Sequence, residues 1–272
     1  MNNNQIVIIV FFALIAVFAL YKFFSFWFAK HGGNEGWIAE TKPSYFWRWT
    51  TIAFWKIFFK LYNRLEIRNA HFIPKESDVG FVTVANHASI LDGFIMGMAV
   101  WRNFFILVKK EAFEMPLESY YLRKVYCFPV DRSKVDTVAI KRAMKVLADG
   151  DSLGLFPEGT RNREGFVSEF KPGAIKLALK KKSMIIPAYI GNSHKITPPH
   201  SIFPRPAKLT VTFLEPIDTA KEIEAGKTEQ DILDMLYKRI TDAGTSIMGY
   251  DVRDPEYIKK LSSENQQIQQ KC

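Results

Sequence analysis

The sequence predicts an α/β fold, with a mixed, mostly parallel sheet flanked by helices. From Leu65 onward, apolar runs of strand length alternate with amphipathic stretches of helical length. Such alternation puts helices on the faces of a largely parallel or mixed sheet. Several strand-like runs end in chemically competent residues, at Asn86-His87, Asp131-Arg132 and Glu158-Gly159-Thr160-Arg161. The chain also has the means to bury a core. Its 272 residues are 48% hydrophobic, which suits one large domain.

The N-terminal region precedes that alternation. Ile6 to Leu20 is apolar without a break, and Phe23 to Ala29 resumes the run after Lys22. The unbroken part is short of the roughly 20 residues that cross hydrocarbon. With Lys22 snorkelling and the run extended through Phe28 it is long enough. A secretory signal is the rival, but no positive charge precedes the run and no small-x-small cleavage site follows it. Lys22, Lys30, Lys42 and Arg48 lie on its C-terminal side. A retained helix would therefore sit in the cell membrane with the remaining chain facing the cytoplasm. Next, Tyr45 to Trp49 and Phe54 to Tyr62 interleave aromatics with cations. That pattern fits a helix lying among lipid headgroups, an amphipathic helix packed on the core, or both at once. Residues 1–64 are thus read as anchor and interfacial helices, 65–250 as the α/β domain and 251–272 as a polar tail, Gln-rich and frayed beyond about Asp254.

Within the α/β part, Leu65-Glu66-Ile67-Arg68 alternates like an edge strand. Gly80 to Ala85, rich in β-branched residues, is a buried strand, and Leu91 to Val100 is apolar enough for a core helix. Phe104 to Val108 is a strand running into Lys109-Lys110-Glu111 and a break at Pro116. Tyr126 to Val130 is a short strand. Val135 to Leu147 has Val138, Met144 and Leu147 at helical spacing and a stop at Asp149-Gly150. Ser152 to Phe156 is a strand, and Pro172 to Lys182 is a helix with proline in its first turn. Met184 to Ile190 and Leu209 to Leu214 are further strands. Thr228 to Asp242 is a last amphipathic helix, with Ile232, Leu236 and Ile240 on one side.

His87 and Asp92 stand at the first strand-to-helix junction. Along an ideal helix, five steps would rotate the two side chains apart by roughly 140°. Along a strand they would fall on opposite faces. They meet only if His87 lies in the turn and Asp92 in the first turn of the helix. That is the geometry of a base held by an orienting carboxylate. The nearby helix N-terminus disfavours the imidazolium, while Asp92 stabilises it once a proton arrives. Alone, the pair is also what a surface histidine near an aspartate would give. Beside it, Arg132 and Arg161 at other strand ends, with Lys109-Lys110, would form a phosphate clamp, since guanidinium donors bind phosphate bidentately. Gly159 would let backbone amides approach an oxyanion. Taken singly, Arg132 is equally a solvated turn residue and Pro157-Glu158-Gly159 a turn that Arg161 caps.

Charge adds less. Lys+Arg number 37 against Asp+Glu 28, a net +9, which suits an anionic membrane, an acidic protein, a phosphorylated substrate or a nucleic acid. No nucleic-acid motif is present. Cys127 and Cys272 have no metal or redox spacing, and Cys127 reads as a small core residue. His194 and His200 lack ligand spacing and read as loop residues, so no metal site is expected.

The motifs in order resemble the glycerolipid acyltransferases of the lysophosphatidate acyltransferase (PlsC-type) family. Asn86-His87-x4-Asp92 resembles that family's first motif and Phe128-Pro129-Val130-Asp131-Arg132 its second. Phe156-Pro157-Glu158-Gly159-Thr160-Arg161 resembles the third, and Ile185-Ile186-Pro187-Ala188-Tyr189 the fourth. The likeness runs from about residue 65 to 217. Lys109-Lys110-Glu111 resembles the family's lysine segment, and the aromatic helices upstream its membrane-docking region. Ser133 departs from the pattern, where glycine is frequent. The resemblance implies a membrane-bound acyltransferase moving an acyl chain from acyl-CoA or acyl carrier protein to the sn-2 hydroxyl of lysophosphatidate. His87 would be the base and Asp92 its orienter. Glu158, Gly159, Thr160 and Arg161 would hold the glycerol phosphate, with Arg132 and Lys110 as further contacts. No cofactor is implied beyond the acyl donor as substrate, and the partners are an anionic phospholipid membrane and the donor. Glycerol 3-phosphate, another lysophospholipid or a lyso-aminolipid are alternative acceptors. A non-enzymatic basic membrane adaptor or nucleic-acid-binding module is the alternative outside catalysis.

Overall fold

The computed structural model describes residues 45–75, 79–114, 122, 126–198, 204–258 and 260, with single positions 15, 16, 18, 19 and 23. The chain divides into two compact units, Met1–Lys42 and Pro43–Cys272. All that follows concerns the second. Of the apolar run Ile6 to Leu20, most positions lie outside the described residues, and so does Cys272. Among the described residues, no helix is long and apolar enough to cross a membrane.

Seven strands form one sheet in the order β1-β7-β6-β2-β5-β3-β4. They are β1 (Glu66–Arg68), β2 (Phe81–Ala85), β3 (Phe104–Lys109), β4 (Cys127–Val130), β5 (Ser152–Leu155), β6 (Met184–Gly191) and β7 (Thr210–Phe213). All neighbours run parallel except β6 and β7, so the sheet is mixed and mostly parallel. β2 lies between β5 and β6, with Val82 opposite both Leu153 and Ile185. All five of its residues are buried, as a strand covered on both faces requires.

The helices that cover those faces are α1 (Tyr45–Tyr62), α2 (Asp92–Ala99), α3 (Thr137–Ala148), α4 (Gly173–Lys181), α5 (Ser193–Ile196), α6 (Thr219–Glu224) and α7 (Glu229–Met248). Val82 and Val84 share one core cluster with Leu153, Ala139 and Ala143 of α3, Ile175 of α4 and Leu236 of α7. The other face is covered by α1 and α2, whose Phe59, Ile95 and Met96 are fully buried. α3 starts at Asp136, whose side chain accepts from the Val138 and Ala139 N–H groups. A reciprocal Thr228–Asp231 capping box starts α7. Each cap contributes about 1 kcal/mol.

Three expectations change in three dimensions. Val138 is 57% exposed, and Ala139 and Ala143 face the core instead. Small residues let α3 approach the sheet closely, and Val146 and Leu147 complete its buried face. α7 continues to Met248, with Ile232, Leu236 and Ile240 buried as the spacing predicts. The short helices α5 and α6 have no periodic signal because each is under two turns long. Downstream, Val252 and Ile258 are buried within the segment read as tail.

Candidate active site

Five strands, β2 to β6, point their C-terminal ends to the same edge of the sheet, where open α/β sheets place ligands. That edge gathers the polar clusters. His87 follows β2 in a turn and Asp92 is the first residue of α2, the arrangement expected from their spacing.

The Asp92 carboxylate is fully buried and organises the turn through one oxygen. Oδ2 lies 2.9 Å from His87 Nδ1 and accepts from the Ala88 N–H at 2.7 Å and the Ser89 N–H at 2.8 Å. An ionised carboxylate can only accept, so Nδ1 carries the proton and Nε2 is the basic nitrogen. Phe156, the residue after β5, stacks on the imidazole with centroids 4.2 Å apart and planes 18° from parallel. The sequence offered Phe156 as the end of a strand and the first residue of the third motif, with no role of its own. Its role as the wall of the histidine comes from β5 lying beside β2.

His87 lines a cavity of about 370 Å³. Its walls are apolar: Ile90, Phe94, Gly97 and Met98 from the α2 region, Phe104, Ile106 and Val108 from β3, and Trp55 from α1. Cys127, buried as expected and with its thiol pushed up to about 12 by burial, is also part of the wall. Arg132, Arg161 and Lys109 are its cations besides Arg102, whose guanidinium is bonded to the Pro74, Val79 and Gly150 carbonyls. The oriented His87 imidazole therefore lines the same apolar chamber as two exposed arginines.

The remaining selected residues are elsewhere. Lys110 opens a 3-10 turn after β3 and does not line the cavity; its neighbour Lys109 does. Thr160 is exposed outside the lining. Gly159, at φ +72°, makes the turn that a side chain would strain. Its N–H donates to the Phe156 carbonyl at 3.1 Å and its own carbonyl accepts from Arg132 Nη1 at 2.7 Å. The turn thus already uses the N–H of Gly159 itself, one of the backbone amides there that were candidates for an oxyanion. Glu158 is buried and away from the lining, its carboxylate bonded to backbone N–H groups. His194, read as a loop residue, is on the single turn of α5 with its ring against Gly165, and burial pushes its pKa down to about 4. His200 lies outside the described residues.

Burial pushes the Glu158 carboxyl up to about 7, against the lowering effect of its hydrogen bonds. The sign for stability follows from linkage. A carboxyl whose folded pKa lies above its unfolded value of 4.5 adds stability that is fully present below that value and lost as pH rises through about 7. The stability difference between wild type and Glu158→Gln should therefore shift against the wild type between these two pH values. Melting temperatures of both across that range check it.

Comparison with known proteins accords with this geometry. A family model described as Acyltransferase matches residues 64–191. A 1-acyl-sn-glycerol-3-phosphate acyltransferase of Borreliella burgdorferi is 31% identical over 172 residues, 62% of this chain and 68% of the relative. One of Bacillus subtilis is 31% identical over 134 residues, 49% of this chain and 65% of that relative. The crystal structure of the 1-acyl-sn-glycerophosphate (LPA) acyltransferase PlsC from Thermotoga maritima shares the fold. Its TM-score is 0.58 at 20% identity, covering 74% of this chain and 83% of that one. The chain belongs to the acyltransferase family that includes the 1-acyl-sn-glycerol-3-phosphate acyltransferases.

Proposed function

We propose that the protein transfers a fatty acyl chain from a thioester, acyl-CoA or acyl carrier protein, to the sn-2 hydroxyl of lysophosphatidate, giving phosphatidate. The observation that carries this reading is His87, oriented by Asp92 and lining an apolar cavity that Arg132 and Arg161 also line. The acyl chain occupies the cavity and the arginines hold the phosphate of the acceptor. His87 Nε2 takes the hydroxyl proton as the acceptor oxygen bonds to the thioester carbonyl carbon. The C–S bond then breaks, and the imidazolium returns the proton to the departing thiolate. The acceptor hydroxyl is itself the nucleophile, so no acyl-enzyme is required.

A lipid surface is the natural place for this reaction, because acceptor and product both carry hydrocarbon chains. The exposed Ile57 and Leu61 of α1, beside Lys60, and the exposed Trp101 with Lys56 4.4 Å from its ring support that placement. The orientation read from the basic residues after the N-terminal run puts it on the cytoplasmic face.

The test is phosphatidate formation by purified protein given lysophosphatidate and palmitoyl-CoA, with acyl carrier protein as alternative donor. Glycerol 3-phosphate, other lysophospholipids and a lyso-aminolipid run in parallel. A preference for any of these would replace lysophosphatidate as acceptor. The cavity makes a further prediction. A Cβ added at Gly97 would meet only Phe104 Cδ1, at 3.5 Å, so a larger side chain enters the chamber rather than the helix packing. Gly97→Leu should lower transfer from palmitoyl-CoA relative to octanoyl-CoA by at least about tenfold, read as the ratio of kcat/KM values.

A further inference from the structure

The strand-end clusters do not act in parallel; one of them grips another. The His87 N–H donates to Glu158 Oε1 at 2.6 Å, and the His87 carbonyl accepts from the Asn162 N–H at 2.7 Å. Both polar groups of the histidine's backbone are thus held by the loop that follows β5. The other Glu158 oxygen, Oε2, accepts from the Ser168 N–H at 2.9 Å. Asn162 Nδ2 donates to Ser168 Oγ at 3.1 Å, closing the loop on itself. One carboxylate therefore joins the end of β2, the turn after β5 and the return of the loop towards α4.

A ligand role fits this placement poorly. Glu158 is only 3% exposed and is not among the residues lining the cavity. To reach an acceptor it would have to release His87 or Ser168, leaving a buried N–H without a partner. It would also bring negative charge towards the phosphate that Arg132 and Arg161 are placed to attract. We propose that Glu158 is a positioning residue for His87: its carboxylate clips the histidine's backbone to loop 158–168 and fixes where the imidazole meets the acceptor hydroxyl. The activity arm of this assignment rests on the acyl-transfer reading above; the geometric arm does not.

The chemistry explains why an acid is suited to this place. Two N–H donors converge on the side chain, and a carboxylate offers an acceptor to each. A glutamine offers one acceptor and turns an NH2 group towards the other donor. The base would remain present but sit differently, and small displacements of a reacting group are costly to rate.

The test compares wild type, Glu158→Gln, Glu158→Asp and Arg161→Ala in two measurements. In steady-state kinetics with lysophosphatidate and palmitoyl-CoA, Glu158→Gln should lower kcat by about 10- to 100-fold. Its KM for lysophosphatidate should stay within about twofold of wild type. Glu158→Asp, which keeps both oxygens, should recover part of kcat, whereas Arg161→Ala should raise KM. In NMR spectra of histidine-labelled protein, the His87 ring signals are identified by their loss in His87→Ala. They should move in Glu158→Gln and stay in place in Arg161→Ala. A loss confined to KM, or His87 signals indifferent to Glu158, would overturn the assignment. Absence of phosphatidate with wild-type protein would count against the acceptor reading, and the NMR shift would then decide the positioning role by itself. Should Glu158→Gln fail to fold by circular dichroism, Glu158→Asp carries the same two readouts, a wild-type NMR spectrum and kcat being the refuting result.

Discussion

Replacing His87 with alanine is expected to lower kcat for acyl transfer about 10³-fold, within the range that a positioned general base supplies. The imidazole places its Nε2 edge in the cavity that the arginines also line, with Nδ1 occupied by Asp92 and one ring face by Phe156. The Phe156 ring loses a partner in the variant, but the Glu158 and Asn162 contacts to the residue's backbone are independent of its side chain. The fold should therefore persist and the KM for lysophosphatidate change little. Product formation by wild type and variant, with circular dichroism on both, makes the check. Equal turnover in the variant would remove His87 from the chemistry.

Asp92→Asn is expected to cost about 10²- to 10³-fold in kcat, for a different reason. An asparagine oxygen can take over the Oδ2 position and keep the bonds from Ala88, Ser89 and the His87 ring. The lost quantity is the negative charge that stabilises the imidazolium while it holds the acceptor's proton. The second oxygen, Oδ1, is buried without a hydrogen-bond partner, so the NH2 group that replaces it breaks no existing hydrogen bond. Asp92→Ala is a different lesion. It leaves the turn's N–H donors without their common acceptor and should destabilise the protein by roughly 2–4 kcal/mol. Paired measurements of kcat and of denaturant unfolding separate the two effects. An Asn variant with wild-type turnover would show that the charge is dispensable and that Asp92 serves the turn alone.

Much of the frame was legible because its signals are local. The β-branched run ending at Ala85, the periodic Ile232, Leu236 and Ile240, and the proline opening α4 each report on a few consecutive residues. The His87–Asp92 pair was legible for the same reason: a five-residue separation across a strand-to-helix turn admits one geometry in which the side chains meet. Val138 shows where such reading stops. Helical spacing offers two faces, and the choice fell to the one with small alanines, which only the distance between helix and sheet decides.

The sequence by itself determined the alternation of strands and helices, the pairing of His87 with Asp92, and the strand ends at which arginines would stand. Only the tertiary structure decided what each cluster faces. Glu158 and Arg161 are three residues apart, yet one is buried against the backbone of a residue 71 positions away and the other lines the cavity. That difference is set by a loop that folds back at Ser168 and by β5 pairing beside β2. Register and loop closure are properties of the whole chain, and no pattern among neighbouring residues encodes them.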